Sequence, residues 1–247
     1  MNILKCLSLF GKHNTKKILN YQCSSSKLVK NYFMSKNNEF NNKYGEANSD
    51  NIKKIKKVKC YNCHNSIDVD LVPFFCKNCK ALINVDVFKI FNIFKLFDLE
   101  ETYDIDKAFL KKKFNDIQKI YHPDKNSQNT ELEKINEVSS YLNNAYRTLL
   151  NDVDRALYLM EIQYNYKIPE EENMDDEEFL TEIIKINEEI TSSKANIELL
   201  TKKYKEMYEN YVENIKTYFK EKDFNNILNA LKKLKFINRI LERLQDF

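Results

Sequence analysis

Residues 107–125 read KAFLKKKFNDIQKIYHPDK, and this stretch predicts both a helix and the point where the helix ends. The apolar residues that recur at helical spacing are Leu110, Phe114, Ile117 and Tyr121. Asp106 is a favourable N-cap residue immediately before the first turn. Pro123 disfavours helical backbone at the residue before it. We therefore predict a basic amphipathic helix that stops at a His122-Pro123-Asp124 loop.

A second helix is predicted directly after this loop. Thr130 and Glu133 have the spacing of a capping box. The apolar stripe that follows consists of Ile135, Val138, Leu142, Ala145 and Leu149. A shorter helix is predicted near 152–163. Two antiparallel helices around the loop and a connecting helix would form one helical unit.

A boundary follows at Pro169 and an acidic run over 170–178. The acids are typical of a solvated loop and a helix N-terminus, where negative charge is favourable. Helical patterns then occupy 176–191, 195–221 and 224–245, joined by short polar turns. These segments predict a three-helix bundle, so the fold class is all-α apart from a small cysteine module.

Composition excludes several classes of function. The 247 residues include only two glycines, which excludes the glycine-rich phosphate loops of nucleotide-binding proteins. Three histidines leave little material for a histidine-based catalytic cluster. The sequence has no apolar run of about 18 residues, so we predict no membrane span. The net charge of +3 does not demand a nucleic-acid partner.

The first 57 residues have the composition of a leader and a linker. Residues 1–38 contain seven lysines and no acid, which is typical of an organelle transit peptide. An Asn/Lys-rich disordered tail is the alternative interpretation. We predict a mitochondrial matrix protein, with another endosymbiotic organelle or the cytosol as alternatives.

Four cysteines form two CxxC pairs, Cys60 with Cys63 and Cys76 with Cys79. Two thiolate pairs can each bind one side of a tetrahedral Zn²⁺ ion, and a segment this short needs metal to fold. A redox pair and a disulfide set are alternatives, but two CxxC pairs together favour metal. His64 could replace one thiolate, although four cysteines already complete the coordination sphere.

Tyr121-His122-Pro123-Asp124-Lys125 between two helix patterns resembles the J-domain of Hsp40-type co-chaperones. In that family the preceding helix is basic and docks on an acidic surface of the Hsp70 ATPase domain, and the loop triggers ATP hydrolysis. The alternative for the lysines is a solvated helix face. The Hsp70-binding residues that the resemblance implies are Lys111, Lys112, Lys113, Lys119, His122, Pro123 and Asp124.

Further segments resemble the HscB/Hsc20/Jac1 family of J-domain co-chaperones. The segments are 93–97, 144–149, 155–159 and 232–237, and the resemblance covers roughly 59–247. The paired CxxC motifs ahead of the J-domain resemble the zinc-binding extension of the animal-type members. Members deliver an iron–sulfur cluster scaffold protein of the IscU/Isu type to a dedicated mitochondrial-type Hsp70. The resemblance is also compatible with a homodimer.

The C-terminal helices predict an exposed apolar patch beside their core stripe. Phe179, Ile183, Ile186 and Ile190 form the core stripe of the first of these helices. Leu180 and Ile184 form a second strip, and Phe236 lies about 200° around the last helix from Leu234. Alternatively, these apolar residues complete the bundle core. The family resemblance implies Leu180, Ile184, Glu188 and Phe236 as scaffold-binding residues.

These observations together predict a co-chaperone that is not an enzyme. The predicted domains are a leader and linker at 1–57, a zinc module at 58–84, a J-domain with its connecting helix at 87–165 and a scaffold-binding bundle at 172–247. A general Hsp40 for unfolded clients and a zinc-dependent nucleic-acid adaptor are the rival interpretations. We expect no nucleic-acid or membrane partner.

Overall fold

The computed structural model describes residues 57–122, 124, 131–168, 176–191 and 196–246. The predicted leader up to residue 56, Pro123 and Thr130 lie outside these ranges. The described residues belong to two compact units. One contains 57–60 and 64–71, and the other contains 61–63 and the described residues from 72 onward.

The smaller unit is a β-hairpin. Strands β1 (Lys57–Lys59) and β2 (Ser66–Asp68) pair antiparallel, with Val58 opposite Ile67. Only Ile67 is buried in β2, because successive side chains of a strand point to opposite faces. Lys57 and Asp68 form an exposed ion pair at 3.8 Å, which contributes little stability.

Apart from an isolated β-bridge between Phe75 and Leu82, the described secondary-structure elements of the larger unit are helices. It begins with two single-turn helices, α1 and α2, and continues with six longer ones. The helices are α1 (Val85–Phe88), α2 (Ile93–Leu96), α3 (Lys107–Tyr121), α4 (Leu132–Leu150), α5 (Asp152–Tyr164), α6 (Glu177–Thr191), α7 (Ile197–Glu221) and α8 (Phe224–Leu244). The predicted all-α class is confirmed.

Helices α3 and α4 form the hairpin that the opening stretch predicts. Asp106 caps α3, since its Oδ1 accepts hydrogen bonds from the backbone N–H groups of Ala108 (2.8 Å) and Phe109 (3.0 Å). Leu110 and Tyr121 are fully buried at either end of α3. All five residues of the predicted α4 stripe are buried as well, so the two stripes form the core of this unit.

Glu131 occupies the N-cap position of α4, and its side chain makes no capping hydrogen bond. The predicted capping box involves Thr130, which lies outside the described residues, so the box stays a prediction. The Glu131 carboxylate has other partners. It accepts a hydrogen bond from Tyr61 and pairs with Lys134 at 2.8 Å.

Arg155 on α5 joins four segments of the larger unit. Its side chain is 3% exposed, and its Nε donates to the carbonyl of Tyr103 at 2.8 Å. The Nη1 and Nη2 groups donate to the Leu149 carbonyl (2.7 Å) and to Asp152 Oδ1 (2.5 Å). The hydroxyl of Tyr208 on α7 reaches the same carboxylate at 3.4 Å. This network connects the α3–α4 hairpin to the C-terminal helices.

Aromatic and charged contacts reinforce the same connection. The ring of Tyr103 stacks on Phe219 of α7, with centroids 5.4 Å apart and planes 18° apart. Asp104 pairs with Lys216, one turn earlier on α7, at 3.0 Å. The segment ahead of α3 therefore packs directly against the long helix of the bundle.

Helices α6 to α8 form the predicted three-helix bundle around their own core. Phe179, Ile186 and Ile190 of α6 are buried, as their stripe predicts, and Ile183 is partly buried. The core residues from the other two helices are Leu200, Tyr204, Ile237, Ile240 and Leu244. Across the described ranges, no helix is both long and apolar enough to span a bilayer.

Candidate functional site

His122 and Asp124 lie at the end of α3, where the chain leaves the helix. His122 has extended backbone angles (φ −69°, ψ 127°) and occupies the C-cap position. Its Nδ1 accepts a hydrogen bond from the backbone N–H of Asp124 at 3.2 Å. The Asp124 side chain is 89% exposed, so its carboxylate is accessible to a partner. The histidine therefore shapes the loop while the aspartate faces solvent.

The four predicted lysines of α3 differ in their surroundings. Lys111 and Lys112 are exposed in mid-helix. Lys113 pairs with Asp98 at 2.8 Å, and Lys119 pairs with Asp116 at 2.7 Å. The hydrogen bond from Lys119 lowers the pKa of the Asp116 carboxyl group. The helix face is basic, but two of its four charges are partly neutralised within the chain.

The predicted apolar patch is only partly separate from the bundle core. Ile184 is 53% exposed, and Leu180 is half-buried beside it. Phe236 is also half-buried, and its ring meets Phe179 edge-on at a centroid distance of 6.2 Å. The prediction that Phe236 points away from the core is therefore wrong in part, because its ring is long enough to reach Phe179 from the edge of α8. Glu188 is exposed one turn after Ile184.

Polar contacts hold α6 against α8 on both sides of this patch. Asp176 caps the first turn of α6, where its Oδ1 accepts from the Phe179 N–H at 2.9 Å, and its Oδ2 pairs with Lys233 at 2.6 Å. At the other end, Arg243 donates to Asn187 Oδ1 at 2.6 Å. These contacts fix the relative register of the helices that carry Ile184 and Phe236.

Each CxxC pair forms the same tight turn, offset by 16 residues. In the first, the N–H of His64 donates to the Cys60 carbonyl at 3.0 Å, and His64 has a left-handed φ of 59°. In the second, the N–H of Lys80 donates to the Cys76 carbonyl at 3.0 Å, with a φ of 61°. His64 thus has a backbone role that Lys80 matches, and it does not belong to the group of converging ligand atoms.

The four cysteine sulfurs lie within 4.8 Å of one another. The sulfurs of Cys63 and Cys76 are 3.7 Å apart. A tetrahedral Zn²⁺ with Zn–S bonds of about 2.3 Å would separate its sulfurs by about 3.8 Å. The donor set and its spacing therefore fit a structural metal ion of the zinc type.

Two asparagine side chains support this cluster and were missed by the sequence reasoning. The Asn78 amide donates to the sulfur of Cys63 at 3.5 Å, and the Asn62 amide donates to that of Cys79 at 3.7 Å. Such donors stabilise thiolates and orient them toward a metal. The signal was present in the sequence, since both pairs place Asn immediately before the second cysteine.

The sequence and the fold of this chain are both similar to those of known proteins. A family model described as the HSCB C-terminal oligomerisation domain matches residues 175–245. The human iron–sulfur cluster co-chaperone protein HscB is 30% identical over 177 residues, which are 70% of this chain and 74% of that protein. The crystal structure of human co-chaperone protein HscB has a TM-score of 0.69 at 29% identity and covers 76% of this chain and 97% of its own. The chaperone HscB from Vibrio cholerae has a TM-score of 0.54 at 25% identity, over 63% of this chain and 96% of its own.

Proposed function

Because this chain belongs to the HscB family of iron–sulfur cluster co-chaperones, we propose that it binds an iron–sulfur cluster scaffold protein, delivers it to an Hsp70 and stimulates ATP hydrolysis by that Hsp70. The observation that carries the proposal is the exposed Asp124 carboxylate at the end of a basic helix. The co-chaperone itself performs no covalent chemistry.

The Hsp70 surface is proposed to comprise α3 and the loop after it. Lys111, Lys112, Lys113 and Lys119 would attract an acidic surface, which mainly sets the association rate and the orientation of the complex. Asp124 would pair with a cationic group of Hsp70 through charge-assisted hydrogen bonds. His122, bonded to the backbone of Asp124, would hold that carboxylate in place, together with Pro123.

The scaffold surface is proposed to comprise Leu180, Ile184, Glu188 and Phe236. Exposed apolar side chains are normal when scattered, but a group of them rimmed by charge is typical of a protein-binding surface. Ile184 is the most exposed of the three apolar side chains, and the half-buried Leu180 and Phe236 would lose their remaining exposure on binding. The ion pair between Asp176 and Lys233 joins the start of α6 to α8, the two helices that carry the patch.

The metal held by Cys60, Cys63, Cys76 and Cys79 is proposed to be Zn²⁺ in a structural role. When bound, the ion would supply most of the folding energy of the module, because a segment this small buries little apolar area. The chain contributes four thiolates and the two amide donors from Asn62 and Asn78.

The Hsp70 half of the proposal is tested with Asp124→Asn. The variant preserves size and removes the charge, so we expect stimulation of the Hsp70 ATPase to fall to the basal rate while scaffold affinity stays unchanged. The measurement is single-turnover ATP hydrolysis by the Hsp70, with and without scaffold. Stimulation that persists in this variant would show that the loop is not the Hsp70 site.

The scaffold half is tested with the triple variant Leu180→Ala, Ile184→Ala and Phe236→Ala. We expect scaffold binding to be lost in titration calorimetry, with the helical circular dichroism signal retained. The matched control is Leu199→Ala, which removes a leucine that is 63% exposed on α7, and it should bind normally. Equal binding by the triple variant would contradict the assignment. Preferential binding of denatured proteins would instead favour a general Hsp40.

We also propose that the protein acts in the mitochondrial matrix and that residues 1–57 direct it there. The basic, acid-free first 38 residues support this proposal. A fusion of 1–57 to a fluorescent protein should reach mitochondria, and a diffuse cytosolic signal would contradict the proposed localisation.

Sedimentation of the mature chain would test whether it forms a homodimer. A gel-shift titration with RNA at low and physiological salt would test the nucleic-acid alternative.

A further inference from the structure

Tyr121, the residue immediately before His122, is bonded to the backbone that flanks the second CxxC pair, Cys76 with Cys79. Tyr121 is fully buried, and its hydroxyl donates to the carbonyl of Phe74 at 2.9 Å and accepts from the N–H of Ile83 at 3.2 Å. Phe74 and Ile83 lie directly outside the bridge that joins Phe75 to Leu82, and this bridge encloses Cys76 and Cys79. The end of α3 is therefore bonded to the backbone on both sides of a CxxC pair.

Glu131 is the first described residue after the loop, and it is bonded to a residue in the turn of the first CxxC pair, Cys60 with Cys63. Tyr61 lies two positions before Cys63, and its hydroxyl donates to the carboxylate of Glu131. The ammonium group of Lys134 lies 3.9 Å from the centre of the Tyr61 ring and 2.8 Å from Glu131. Hydrogen bonds from Lys134 and from Tyr61 lower the pKa of the Glu131 carboxyl group. Glu131 is the N-cap residue of α4.

The two anchors lie on opposite sides of the same loop. Tyr121 precedes His122 by one residue, and Glu131 follows Asp124 by seven. Packing of α3 on α4 would by itself fix the helix axes, but a hydroxyl bonded to backbone groups also fixes where the helix end lies along its axis. Both anchors depend on the backbone of turns that the cysteines hold in shape.

We propose that Tyr61 and Tyr121 are positioning residues for the loop, so that metal bound by the cysteines sets the placement of His122 and Asp124 toward Hsp70. The inference rests on the proposed function of that loop. The metal module thus has a role beyond its own folding. Loss of the metal module should lower the affinity of the co-chaperone for Hsp70 and leave the scaffold-binding surface unchanged.

The test compares Tyr61→Phe and Tyr121→Phe with a matched control, Tyr158→Phe. Tyr158 is a half-buried tyrosine on α5, away from the loop, and its hydroxyl accepts a hydrogen bond from the backbone N–H of Ile93 at 3.2 Å. The co-chaperone concentration for half-maximal Hsp70 stimulation should rise about two- to tenfold in the first two variants, as the loss of one hydrogen bond implies. The maximal stimulated rate should change little, and Tyr158→Phe should match the wild type.

A second measurement does not depend on Hsp70. Hydrogen exchange of a peptide that spans 119–134 should become faster in Tyr61→Phe and Tyr121→Phe, and faster in the wild type after zinc is chelated. Tyr158→Phe should leave it unchanged, and scaffold affinity should stay constant throughout. Unchanged exchange in both loop variants and after chelation would overturn the inference. If Asp124→Asn still stimulates Hsp70, the proposed function fails instead, and the exchange comparison alone decides whether the tyrosines brace the loop.

Discussion

Replacing Arg155 with leucine should strongly destabilise the described helical unit. Arg155 is buried, and its guanidinium group donates to two carbonyls, those of Tyr103 and Leu149, and to the Asp152 carboxylate. Leucine keeps part of the apolar stem but removes all three donors. The two carbonyls and the carboxylate then lose partners in a region that admits little water.

The magnitude follows from the nature of these contacts. Removing one partner of a buried ion pair costs about 3–5 kcal/mol, because an uncompensated charge is left behind. Asp152 keeps bonds from Lys107 at 2.9 Å and Tyr208 at 3.4 Å, so the lower half of that range applies, about 3–4 kcal/mol. For a protein of this size each kcal/mol lowers the Tm by about 2–4 °C, so we expect a fall of roughly 6–16 °C.

The assay is urea denaturation followed by circular dichroism at 222 nm, with thermal melts as a second measurement. Arg243→Leu is the matched control, because that arginine is exposed and makes one hydrogen bond, to Asn187. We expect the control to lose less than about 1 kcal/mol. A loss below about 1 kcal/mol in Arg155→Leu itself would refute the view that this network joins the hairpin to the bundle.

Further predictions concern acid stability, metal and packing. Burial raises the pKa of Asp152, but hydrogen bonds from Lys107 and Arg155 outweigh it and hold the pKa below its ordinary value. This contribution is therefore complete at neutral pH and lost as pH falls below about 4, so Asp152→Asn should flatten the acid limb of the stability curve in urea titrations. Zinc measured by atomic absorption should fall to background after Cys76→Ser with Cys79→Ser, and full retention would disprove the four-cysteine site. Leu142→Ala, at a fully buried position, should cost about 2–5 kcal/mol in the same denaturation assay. A smaller loss would show that α4 can repack around the cavity.

The parts of the fold that follow local chemistry were readable from the sequence. The stripe from Ile135 to Leu149 predicted the buried face of α4, because burial follows the 3.6-residue period of the helix. The spacing of the CxxC pairs predicted a cluster that the structure brings within ligand distance. Asp106 was recognisable as a cap because a short carboxylate ahead of an apolar stripe can reach free backbone N–H groups.

Sequence patterns revealed less where a side chain has a choice of partners. The carboxylate of Glu131 is engaged by Tyr61, which lies 70 residues away in the chain, and by Lys134. Phe236 lies off the main stripe of α8, yet it packs edge-on against Phe179. In both cases the decisive partner is distant in sequence, so no local pattern could reveal it.

The sequence by itself determined the all-α class, the helices around His122-Pro123-Asp124 and the four thiols, because helix periodicity and short ligand spacing are local properties. Only the tertiary structure showed that Arg155 joins the α3–α4 hairpin to the bundle, that Phe236 packs edge-on against Phe179, and that Tyr61 and Tyr121 reach the two sides of the loop. A hydrogen bond across 38 or 70 residues depends on where the segments around the CxxC pairs meet the ends of α3 and α4, and tertiary packing sets that placement.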